Sequence, residues 1–79
     1  MRTVLANNIT RKLEKTIKGK IKVSFSATEL IVSITVNRHK WQYVEEVTDF
    51  EITHGMTSSE KAAHIYEEYT KYIYSKYFK

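Results

Sequence analysis

The stretch that decides the fold is KIKVSFSATELIVSITV, residues 20–36. Its first six residues alternate without a slip. Ile21, Val23 and Phe25 point one way, and Lys20, Lys22 and Ser24 point the other, the period of a half-buried strand. Its last eight repeat the pattern, with Leu30, Val32, Ile34 and Val36 on one face and Ser33 and Thr35 on the other. The three residues between, SAT, are short enough for a hairpin, so the two runs pair antiparallel with their apolar sets together. A sheet with one apolar face needs a cover, and the flanking segments supply it.

Upstream, Leu5, Ile9, Leu13 and Ile17 recur every fourth residue, the stripe of an amphipathic helix, with Gly19 as its expected C-terminal stop. Downstream, NRHK (37–40) reads as a polar turn, and WQYVEEVTDFEIT (41–53) as a third strand, rich in β-branched and aromatic residues. Val44 and Val47 cannot share a face there, so a bulge near Glu45–Glu46 is expected. TSSE (57–60) is a capping box opening a last helix over about Ser58–Tyr77. The reading is α+β, with the order α-β-β-β-α: a three-stranded antiparallel meander with two helices packed on one face. Residues 1–79 are read as a single domain, since a chain of this length has no room for a second core.

Composition narrows the chemistry. The chain has no cysteine, which removes disulfides and thiolate metal sites and suits a reducing compartment. MRTVLANNITRKL turns polar after three apolar residues, too early for a signal-peptide core, so a cytoplasmic location is expected, with no membrane involvement. The three histidines, His39, His54 and His64, lie apart in the chain and predict no metal site. No nucleophile, base and orienting group fall together, and no phosphate-cradling loop is present, so neither an enzyme nor a cofactor is expected.

Charge says more. The net charge is +4, and residues 11–22 hold six cations (Arg11, Lys12, Lys15, Lys18, Lys20 and Lys22) against the single acid Glu14. Residues 45–51 hold four acids and no base. A basic end and an acidic strand follow. Arg11, Lys15, Lys18, Lys20 and Lys22, with Arg38 and Lys40 from the turn, are the candidate nucleic-acid contacts, since clustered cations attract phosphates without reading sequence.

The last fifteen residues, IYEEYTKYIYSKYFK, hold five of the six tyrosines. At 100° per residue, Ala62, Ile65, Tyr66, Tyr69, Ile73 and Tyr77 share a core-facing side. Tyr74 and Phe78 fall off it. With Trp41 they are the candidate interface residues, and a homodimer through this helix is expected.

Two resemblances bear on function. The α-β-β-β-α order, the size and the basic charge resemble the double-stranded-RNA-binding domain. That family opens its second helix with a glycine-led, lysine-rich stretch. HGMTSSEKAAHIY (54–66) carries Gly55, Lys61, Ala62 and Ala63, but Ser58 and Ser59 stand where its paired lysines would be. SFSATEL lacks its glycine-proline-histidine loop, so the likeness implies topology and nucleic-acid binding through the basic end, not the family's contacts.

The whole chain, with its opening helix, VSITV strand and aromatic closing helix, is also similar to small early-region accessory proteins of phages and prophages of Gram-positive bacteria. Some of these block host nucleases or CRISPR effectors. That resemblance implies a non-catalytic interaction module that occludes or bridges a host or phage macromolecule. The basic balance departs from the acidic members that mimic DNA.

Overall fold

The computed structural model describes residues 2–77, the Tyr77 side chain excepted. The elements are α1 (Arg2–Glu14), β1 (Lys20–Phe25), β2 (Glu29–Val36), β3 (His39–Glu46), a π-helical turn (Glu51–Gly55) and α2 (Ser58–Tyr77). The strands form an open antiparallel sheet in the order β1-β2-β3. Ile21 pairs with Ile34, Val23 with Val32 and Phe25 with Leu30, so the two alternating runs bring their apolar sets to one face. Both hairpins are tight. Ser26 Oγ accepts the Glu29 N–H at 3.0 Å in the first. Only Asn37 and Arg38 lie between the strands in the second, both at positive φ (48° and 71°), the signature of a type I′ turn.

The core is one cluster: Ile9, Leu13 and Ile17 from α1 and its extension, Leu30, Val32 and Ile34 from β2, then Val47, Ile52, Ala62 and Ile65. Arg2 pairs with Asp49, just past the end of β3, and α1 runs from there toward the start of β1. Lys61 pairs with Glu45, and Tyr69 and Tyr72 lie on Trp41 at the other end of β3. Both helices therefore run in the same sense over one face, from the glutamate end of the sheet (Glu29, Glu46) to its lysine end (Lys20, Lys40). The other face is bare.

Four local expectations are corrected. α1 stops at Glu14 rather than reaching Lys18. Leu13 O accepts from both Thr16 N and Thr16 Oγ1, a tight turn that still delivers Ile17 to the core. Gly19 is no left-handed cap, since neither glycine has positive φ. It is needed because a Cβ there would lie 2.5 Å from Thr35 O and 2.7 Å from Val36 Cγ2. His39 and Lys40 belong to β3, not to the turn.

The fourth correction is the end of β3. No bulge is needed, because the strand finishes at Glu46 and the chain turns helical from residue 49. Thr48 Oγ1 accepts the Glu51 N–H at 3.1 Å and lies 3.2 Å from Glu51 Oε1, and Val47 and Ile52 are both buried. This is the sequence of a capping box with its hydrophobic staple, written in the chain as VTDFEI (47–52), with Glu51 accepting from the Thr48 hydroxyl rather than from its N–H.

Candidate anion-binding face

The bare face of the sheet is laid out by register. Lys20 pairs with Thr35 and Thr35 with Lys40; two residues along, Lys22 pairs with Ser33 and Ser33 with Gln42. Side chains alternate faces along a strand, and Ile21, Ile34 and Trp41 of the row between point to the helices, so all six of these point outward. Lys20 and Lys22 leave β1 about 7 Å apart, and Lys20 and Lys40 flank Thr35 across about 10 Å, from strand rise and spacing. A shallow concavity of 570 Å³ opens among them, lined by the six side chains and edged by Ile21 and Trp41. Three ammonium groups thus surround two hydroxyls and an amide, with no carboxylate in either row. Such a set donates hydrogen bonds and positive charge together, which suits phosphate or carboxylate oxygens.

Arg38 stands at the rim of this dish, in the turn. Its φ of 71° is left-handed backbone, which costs a non-glycine residue about 1 kcal/mol or more. A glycine would relieve the turn, and the chain carries a cation there instead.

The other candidate contacts lie elsewhere. Arg11 is on α1, in the helical layer, while Lys15 and Lys18 follow the C-terminus of α1 at the lysine end, with Lys18 lining a groove beside Ile17 and Val36. The C-terminal carbonyls of α1 attract Lys15 and Lys18 in any case. They do not account for Lys20, Lys22 and Lys40, which project from the opposite face. Among the described residues, the ion pairs are Arg2–Asp49, Lys61–Glu45 and Lys71 with Glu67 and Glu68. None engages the seven candidate cations.

The glutamate end is built differently. Glu45 points inward, beneath α2, where Lys61 Nζ donates to its Oε2 at 2.5 Å and the Tyr43 hydroxyl to its Oε1. Burial pushes the Glu45 carboxyl up, but the hydrogen bonds from Lys61 and Tyr43 outweigh it and hold the group below the usual carboxylate range. Burial first, and then the bond to Glu45, push the Tyr43 phenol well above its ordinary value, so it stays protonated as a donor. His64 stacks edge-on against the Tyr43 ring at 5.9 Å. This polar lock ties α2 to β3, and reading residues 45–51 only as an acidic strand missed it. The i, i+2 spacing of Tyr43 and Glu45 was its only sign. Among the described residues no three His, Asp or Glu side chains converge as a metal site.

Of the interface candidates, Trp41 is half-buried between β3 and α2, with the Tyr69 ring 5.4 Å away, edge to face. Tyr74 is 65% exposed. Phe78 lies outside the described residues. Tyr66, expected in the core, is 41% exposed because the buried line of α2 runs through Ala62 and Ile65 and leaves Tyr66 at its edge. Among the described residues no helix is long and apolar enough to cross a membrane. No protein-family model, no curated protein and no solved structure matches the chain.

Proposed function

We propose that the protein is a non-catalytic binding module that covers a nucleic-acid backbone with the bare face of its sheet. The observation that carries this reading is the dish of Lys20, Lys22 and Lys40 around Ser33, Thr35 and Gln42. The aromatic at the edge of the dish, Trp41, is packed against Tyr69 of α2 and does not stand out as the anchor that dominates protein–protein contacts. Ammonium and hydroxyl donors alone are what phosphate oxygens need. The layout shared with the double-stranded-RNA-binding domain supports the class of ligand but not the mode. The start of α2, where that family carries its lysines, here lies at the glutamate end beside Glu45 and Glu60.

The setting we assign is that of a phage or prophage accessory protein in the host cytoplasm. Covering nucleic acid there would deny it to a host nuclease or CRISPR effector. Self-association is assigned to a separate surface, the C-terminal half of α2.

Gel shifts at low salt with duplex DNA, duplex RNA and single strands test the reading. Complexes with all of them, with no preference for single strands, are expected, because the aromatic at the edge of the dish, Trp41, packs its ring against Tyr69 and Tyr72 of α2 instead of offering it to a base. No complex with any of them would move the function to a protein partner. A pull-down from host lysate would then retain its partner after nuclease treatment.

A further inference from the structure

α1 ends at Glu14, whereas α2 runs for 20 residues, so the C-terminal half of α2 has no helix beside it. Two apolar concavities meet there. One is a groove between Ile17, Val36, Tyr69 and Ile73; the other is a patch along Tyr66 and Tyr74; Tyr66 and Thr70 line both. The positions follow a heptad. Ala63 and Thr70 are seven apart, Tyr66 and Ile73 take the next apolar position, and Glu67 and Tyr74 flank them. Taking 100° per residue from Thr70, Ala63 lies at about 20°, Tyr66 at about −40°, Tyr74 at about 40° and Ile73 at about −60°. The stripe is thus a second face of α2, about 120° from the buried one, with small residues on its midline and aromatics on both sides.

We propose that this stripe binds the same stripe of a second copy, as an antiparallel two-fold pair of α2 helices centred on Thr70. The charges are self-complementary in that arrangement. Glu67 and Lys71, which pair within the helix at 3.3 Å, lie on one flank. A two-fold axis perpendicular to the plane of the helices brings Glu67 to the same flank as Lys71 of the second copy, offset by two residues or about 3 Å along the axis. Each glutamate then has a lysine on either helix, whereas a parallel pairing would put the two Glu67–Lys71 flanks on opposite sides of the pair, where they do not meet. Tyr66 comes level with Tyr74 of the second copy, and Thr70 meets its own equivalent, small enough for close approach. Because α2 lies on the covered side of the sheet, pairing through this stripe leaves both lysine dishes uncovered.

The absence of cysteine makes the test direct. Sedimentation of the full chain at tens of micromolar should give twice the 9.3 kDa monomer mass. The Tyr66→Ser, Tyr74→Ser double variant should sediment as a monomer with unchanged helical circular dichroism. Thr70→Cys should form a disulfide-linked dimer under mild oxidation, because the axis brings the two positions within bonding range, while Ser59→Cys should not. A wild type that stays monomeric at these concentrations overturns the proposal. So does a dimer that survives the double substitution, or Ser59→Cys linking as readily as Thr70→Cys. Nucleic-acid binding by the monomeric variant is a separate reading and does not enter this one.

Discussion

At the scale of single residues, four positions show how backbone geometry and polar contacts set what each tolerates. Gly19 is fixed by close approach to Thr35 and Val36, not by a left-handed backbone. Gly19→Ala should therefore cost about 1–3 kcal/mol as the start of β1 is forced away from β2. Gly55, which has nothing near its missing Cβ, should accept alanine without loss. Thermal melts of the two variants compare them directly. Arg38→Gly should raise stability by about 1 kcal/mol by relieving the left-handed residue, while weakening nucleic-acid binding by removing a cation from the rim of the dish. A variant that is both more stable and as tight a binder would show that the arginine has no part in binding. Glu45 carries a pH dependence. Its pKa is lowered in the fold, so its contribution is present above the ordinary value of 4.5 and is lost as pH falls through the lowered value. Glu45→Gln should cost about 1–3 kcal/mol at neutral pH and flatten the acid side of the stability profile, read by denaturant unfolding from neutral pH downward.

The elements differ in how plainly the sequence announces them. β1 and β2 were legible to the residue because a period-two pattern with one apolar face has one register, and that register also places Lys20, Lys22, Ser33 and Thr35 outside. Val32, fully buried in this hairpin, should not tolerate aspartate; an unpaired buried charge costs as much as a small domain's whole stability. A Val32→Asp chain melting like the wild type would undo the face assignment. β3 was legible only in part. Its β-branched and aromatic residues continue past Glu46, so propensity extends the strand, while the Thr48–Glu51 capping box ends it. The box outweighs propensity because Val47 and Ile52 reach the core only if the chain turns helical between them. Thr48→Ala should accordingly cost about 1 kcal/mol in denaturant unfolding. Lys40 and Gln42 could not be placed on the outer face until the turn was known to hold two residues, since a turn one residue longer reverses every side chain of β3. The exposed side of α2 was half-legible. Tyr74 fell off the core stripe by angle alone, but the exposure of Tyr66 depends on the buried line of α2 narrowing to Ala62 and Ile65, which the angular pattern drew wider.

Over the whole molecule, the sorting of charge along a 39 Å axis is the feature that bears on function. The acids of the glutamate end are partly consumed, Glu45 by Lys61 and Asp49 by Arg2. Among the described residues, Lys15, Lys18, Lys20, Lys22 and Lys40 of the lysine end enter none of the ion pairs, and they divide between two sides of the sheet. The central claim is that the outer side binds. Its most direct test is the salt dependence of binding to one duplex, compared between two triple variants of equal charge. Each neutralised phosphate contributes about 0.9 to the slope of log K against log salt for B-DNA. Replacing Lys20, Lys22 and Lys40 with glutamine should weaken binding and lower the slope by up to about 2.7, three such contacts. Replacing Arg11, Lys15 and Lys18 with glutamine should leave most of the slope in place. Equal losses from the two variants, or a loss confined to the helix-side variant, would contradict the account.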